Sequence, residues 1–208
     1  MKVLVSGFEP FGGRKENPTA LLAGEAAKAA SGQASAVAIP KGLEVRAVVL
    51  PVTFEKAYEK LQGEIRAFDP DVVLAFGMAA GRNAIEIERI AINCLDADIP
   101  DNSGFQPVDQ AIEAGGAAAL FTTLPARRLL SALKGAGVPA RMSNTAGTYV
   151  CNFLFYRLME ANLRTRRKAG FIHVPLLPEQ AAEKPGLASM SLADLGKALS
   201  IMLAELAK

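Results

Sequence analysis

Phe54-Glu55-Lys56-Ala57-Tyr58-Glu59-Lys60-Leu61-Gln62-Gly63-Glu64-Ile65-Arg66-Ala67-Phe68, joined by a short turn to Val72-Val73-Leu74-Ala75-Phe76, is the stretch that decides the fold class. Its first part reads as a helix capped by Thr53, its second as a strand with apolar residues toward both faces. The pairing repeats in both directions along the chain. Apolar blocks stand at Val3-Leu4-Val5, Val45 to Val52 and Phe171 to Val174. Helical stretches run from Pro18 to Ala30 behind Asn17, from Pro125 to Ala136, from Thr148 to Asn162, and from Leu192 to Ala207 behind Ser191, with Asp194 three residues on. Strands alternating with helices predict βαβ units. The expected fold is therefore α/β: one three-layer α/β/α sandwich with a mostly parallel sheet, spanning residues 1–208 as a single domain.

The alternation breaks after Ile85. Ile85-Glu86-Ile87-Glu88-Arg89-Ile90-Ala91-Ile92 alternates like a half-exposed strand, and the turn-rich Asp96 to Gly104 predicts a long functional or assembly loop. Gly115-Gly116 and Ala117-Ala118-Ala119 read as a continuation of that excursion.

Composition narrows the function. The 208 residues are half hydrophobic and 21% charged, which excludes disorder, collagen and coiled coil. A net charge of +2 provides no field to hold nucleic acid or an anionic membrane, so neither is an expected partner. The basic cluster Arg164, Arg166, Arg167 and Lys168 reads as a solvated helix end. No apolar stretch is long enough to span a membrane, and the N-terminal run is broken by Gly7, Glu9 and Pro10, too soon for a signal peptide. Two cysteines, Cys94 and Cys151, fit reduced thiols in a cytoplasm. With one histidine and no cysteine pair at ligand spacing, no metal or cofactor is expected.

Scarce residues must carry any chemistry that needs them. Cys151 opens the helix Thr148 to Asn162, where the dipole and unpaired amides would stabilise a thiolate and could hold an oxyanion. On position alone, a small core hydrophobe is the commoner use of such a cysteine. His173, the one imidazole, stands near the end of an apolar strand whose exit is expected at the same edge as Cys151, where it could act as base and then acid. Glu86 and Glu88, two apart on one face of a strand, are both candidates to orient the ring, and their spacing does not choose between them. Gly7-Phe8-Glu9-Pro10-Phe11-Gly12-Gly13 matches no phosphate loop; its two phenylalanines suggest a flat apolar slot, unless both rings are core.

Together these segments resemble the pyroglutamyl peptidases, a family of cysteine peptidases. The resemblance rests on Gly7 to Gly13 with Asn17-Pro18, on Gly77 to Asn93, on Met142 to Asn152 and on Gly170 to Gln180. It implies Cys151 as nucleophile, His173 as base and acid, and Glu88 as the carboxylate that orients the ring. It also implies hydrolysis of the amide after an N-terminal pyroglutamyl residue of peptides, in a pocket whose lining positions match Phe8, Phe11, Ile99, Tyr149 and Val150. The family's fold is phosphorylase/hydrolase-like and its members are often homotetramers. Three positions depart from the pattern: Glu86 replaces Ser or Thr, Met78 replaces Gln, and Asp98 replaces an arginine thought to assist the oxyanion. Two other readings are a phosphorylase or hydrolase of the same fold group with Arg82 on phosphate, and a pyroglutamyl-binding or assembly protein without turnover.

Overall fold

Strand β3 (Val72–Met78) is buried along its whole length because each of its faces meets a separate apolar layer. Val72, Leu74 and Phe76 face one core with the helices α1 (Pro18–Ala30), α3 (Ala126–Gly135) and α6 (Leu192–Leu206). Val73 and Ala75 face the other, with α2 (Phe54–Phe68) and α4 (Val150–Asn162). This computed structural model describes residues 1–182, 184 and 186–208. Its accessible surface is 9441 Å², against roughly 9,300 Å² expected for a folded chain of this mass.

The sheet has six strands in the order β2-β1-β3-β8-β4-β7, with β1 at Lys2–Phe8, β2 at Glu44–Leu50, β4 at Ile85–Glu88, β7 at Ala140–Ser143 and β8 at Lys168–Val174. The first four run parallel, β4 is antiparallel to β8, and β7 is parallel to β4. The α/β/α sandwich with a mostly parallel sheet is therefore observed. Because β4 and β7 run against the rest, however, α4 is not reached by a simple strand exit. Ser143 pairs with Glu88, and the segment 144–149 returns across the sheet to start α4 above β3.

Several boundaries differ from the sequence expectation. The half-exposed strand at 85–92 is two strands in two sheets: β4 is fully buried, and β5 (Ile90–Ile92) pairs with β6 (Ala119–Phe121) in a separate antiparallel ribbon. Ile85 and Ile87 enter the core, while Glu86 and Glu88 are buried against other charges, which alternation alone cannot distinguish from water. The basic cluster lies in the turn after α4 and at the start of β8, where Arg167 Nε donates to the Pro70 carbonyl at 2.9 Å. A short helix, α5 (Pro178–Ala182), follows β8.

Close approach fixes where β1 meets α1. A Cβ on Gly7 would lie 2.0 Å from the Thr19 carbonyl oxygen, so only glycine lets the start of α1 sit this near the strand end. Asn17 caps that helix by accepting from the Thr19 N–H at 3.0 Å. The loop after β5 is tied down by Asp101, whose carboxylate accepts the N–H groups of Phe54, Ser103 and Phe105 and caps α2, a helix Thr53 leaves uncapped. Burial works against that carboxylate, but these hydrogen bonds, with that of the Ser103 hydroxyl, hold its pKa below the usual range.

Candidate active site

Three neighbouring strands present one residue each to the α2/α4 side of the sheet. Gly77 on β3 is the register partner of His173 on β8, and His173 is in turn the partner of Glu86 on β4. Directly paired residues point to the same face, and Glu88 shares it as the residue two beyond Glu86. The geometry distinguishes the two acids: His173 Nδ1 lies 2.7 Å from Glu88 Oε1, whereas Glu86 is held by Arg82 and by Arg141, whose Nε donates to Glu86 Oε1 at 2.6 Å. A carboxylate only accepts, so Nδ1 carries the proton and Nε2 is left with its lone pair.

The first turn of α4 brings Cys151 above Gly77. A Cβ there would stand 2.8 Å from Cys151 Sγ and 2.7 Å from the Phe171 ring, so glycine provides the sulfur's seat over β3, at the position paired with His173. Tyr149 occupies the cap position of α4 without a side-chain cap, and the first intrahelical donor is the Phe153 N–H, to Tyr149 at 3.1 Å. The N–H groups of residues 150–152 thus have no helical acceptor. Asn152 is occupied elsewhere, accepting from the Ile92 N–H and donating to the Ile92 and Cys94 carbonyls, which ties the β5 ribbon to α4.

Burial sets the resting charge. It pushes the Cys151 thiol up to about 12, with the Glu88 carboxylate adding to the rise and Arg82 opposing it. For His173, burial lowers the pKa below 6.5, against the opposite pull of Glu88. The pair therefore rests as thiol and neutral imidazole. Desolvation thus works against the helix start, which favours a thiolate.

A narrow slot of about 10 Å³ begins at Cys151 and is lined also by Phe8, Phe11, Tyr149, Val150, Asn17, Val52 and Met78. Phe11 packs beside Tyr149 at 6.2 Å between ring centroids, and Tyr149 donates its hydroxyl to the Pro100 carbonyl at 3.0 Å. Four of the five pocket residues expected from sequence are thus together. Ile99 is exposed and outside the lining, and Asp98 is exposed with no ion pair among the described residues. Sequence reasoning missed Asn17 and Val52, although Asn17 already stood out as a helix cap beside the Phe8 loop. Arg82 is turned onto protein acceptors: Nη1 serves Glu86, Glu88 and the Ser143 hydroxyl, and Nη2 donates to the Thr145 carbonyl. Among the described residues, no three of His, Cys, Asp and Glu gather as metal ligands, and no helix is long and apolar enough to cross a membrane.

Comparison with known proteins places this geometry in context. A family model described as pyroglutamyl peptidase matches residues 1–208. A pyrrolidone-carboxylate peptidase of Streptococcus pyogenes serotype M1 is 44% identical over 201 residues, covering 96% of this chain and 89% of its own. One from Erwinia tasmaniensis is 44% identical over 207 residues, covering 98% and 93%. Among solved structures, pyroglutamyl peptidase I from Bacillus amyloliquefaciens superposes with a TM-score of 0.89 at 38% identity, over 98% of this chain and 93% of that one. A mutant pyrrolidone carboxyl peptidase from P. furiosus gives 0.90 at 39%, over 100% and 99%.

Proposed function

The chain belongs to the pyroglutamyl peptidase family, and on that premise we propose that it is a cysteine peptidase that hydrolyses the amide bond after an N-terminal pyroglutamyl residue. One observation carries the reading: the imidazole–carboxylate pair at 2.7 Å shares a sheet face with a sulfur seated at the mouth of an apolar slot. Cys151 is the nucleophile, His173 the base and then the acid, and Glu88 the group that orients the ring.

The neutral resting pair dictates the sequence of proton transfers. As Sγ attacks the carbonyl carbon, the thiol proton passes to Nε2, and the imidazolium formed is stabilised by Glu88 on Nδ1. The oxyanion accepts from the unpaired N–H groups at the start of α4, Cys151 among them; this role does not call on Asp98. Collapse expels the amine, which takes the proton from Nε2 and leaves a thioester. Water, deprotonated by the same nitrogen, attacks the thioester, releasing pyroglutamate and restoring the thiol.

The slot favours a neutral lactam over an open glutamyl or glutaminyl side chain. Phe8, Phe11, Tyr149 and Val150 supply ring faces and apolar walls, and among the described residues no cation lines the slot to pair a free carboxylate. Ile99, one residue before the Pro100 carbonyl that receives Tyr149, is proposed to cover the ring at the mouth. Both cysteines are free, which suits the reducing cytoplasm a thiol nucleophile needs. Exposed Phe105, Val108 and Phe121 are surface that a homo-oligomer, a tetramer in this reading, would cover. The test is incubation with a pyroglutamyl fluorogenic amide beside the corresponding glutaminyl and glutamyl amides. Release from the first alone is expected; equal release from all three, or none from any, contradicts the reading.

A further inference from the structure

Glu86 is 2% exposed, carries two arginine contacts, and is the register partner of the one histidine, yet it has no part in the proton transfers. Isoleucines occupy the positions on either side of it along β4, and an apolar side chain would close the face without burying a charge. Its effect on the site runs through Arg82. That guanidinium uses one nitrogen, Nη1, for both carboxylates. Glu88 in turn uses one oxygen, Oε1, for both Arg82 and His173, while its Oε2 is buried without a partner among the described residues. Arg82 and His173 therefore share a single oxygen, and any group that draws Arg82 toward itself leaves Oε1 a stronger acceptor for the ring.

We propose that Glu86, anchored by Arg141, is a positioning residue: it takes a share of Arg82 and so sets how firmly Glu88 holds His173. Arg141 is suited to anchor Glu86 from outside, since its side chain is half exposed and bonds from β7 across the paired strand. The charged and titratable groups about the ring are Glu88 and Glu86 from β4, Arg82 from the β3–β4 turn, Cys151 from α4 and, behind Glu86, Arg141 from β7; β3 contributes Gly77 and no charge.

The inference rests on the roles proposed for Cys151, His173 and Glu88, but its test does not require turnover. His173 is the only histidine, so its ring signals titrate in an NMR spectrum without ambiguity of assignment. In Glu86→Gln the ring loses a nearby negative charge and Arg82 settles on Glu88, so His173 should titrate lower, by about half a pH unit or more. In Arg141→Gln one positive charge is lost and the midpoint should rise by a similar amount, whereas Arg141→Lys should stay near wild type. A merely structural role predicts otherwise: loosening the site admits water, and a ring whose pKa is lowered by burial would then move upward in both Gln variants. A rise or no change in folded Glu86→Gln overturns the proposal. Should that variant not fold, equal midpoints in the Gln and Lys variants of exposed Arg141 overturn it instead. Absence of pyroglutamyl hydrolysis by the wild type would sink the proposed function while leaving these titrations to decide the positioning role.

Discussion

β3 and β4 lie on either side of β8, and both are buried on both faces, but by different chemistry. β3 is apolar on each face until Gly77, where the absence of a side chain admits the sulfur of Cys151. β4 alternates Ile with Glu, and its acids are buried because Arg82, Arg141 and His173 meet them. One strand contributes space to the site and the other contributes charge. Packing tolerates small adjustments, whereas breaking a buried ion pair leaves an uncompensated charge; the two sides should therefore fail in different ways.

The largest effect should come from the groups between the strands. Cys151→Ser should keep the fold and lose about a thousandfold or more in kcat, and Glu88→Gln should lose a similar order without displacing the ring, because a neutral amide cannot stabilise the imidazolium. Steady-state rates beside circular dichroism measure both, and wild-type turnover in either would remove that residue from the mechanism.

On the side of space, Gly77→Ala is the sharper cut. The new methyl would meet Sγ and the Phe171 ring at under 3 Å, so either the sulfur leaves its seat or the strands part. We expect about a hundredfold loss of kcat/KM with a destabilisation of roughly 1–3 kcal/mol. Unchanged rates would mean that the sulfur's seat over β3 is irrelevant.

Charge should show in the pH profile. With the His173 pKa lowered by burial, the ring stays neutral and able to take the thiol proton well into mild acid, and kcat/KM should fall only below the ordinary imidazole midpoint of about 6.5. No alkaline limb from the thiol is expected short of about 12. A rate that rises through pH 8 to 9 with thiol ionisation would instead favour a preformed thiolate.

The fold was legible because β1, β3 and β8 are largely apolar on both faces and because α1 and α6 begin at the side-chain caps Asn17 and Ser191. The reversed direction of β4 and β7 was not: strand direction depends on crossover geometry, which four-residue strands do not encode. Cys151 and His173 were legible because they are scarce. The choice of Glu88 over Glu86 came from family resemblance, since both lie on one face and only the diagonal reach of the ring distinguishes them. The upward shift of the Cys151 pKa was not legible, because a helix start is visible in sequence and its desolvation is not.

The smallest effect is expected at Asp98. It is exposed, and the start of α4 already offers donors to the oxyanion, so Asp98→Arg should change kcat by no more than about twofold. A gain of a hundredfold would mean that the oxyanion lacks a donor the backbone was thought to supply.

The central claim is that Cys151, and not Cys94, forms a bond to the pyroglutamyl carbonyl. Acid quenching during turnover of a pyroglutamyl ester, followed by peptide mass spectrometry, reads this directly. A pyroglutamyl thioester on the peptide containing Cys151, absent from Cys151→Ser, is the predicted result. Steady turnover with no acylated cysteine, persisting in Cys151→Ser, would contradict the account.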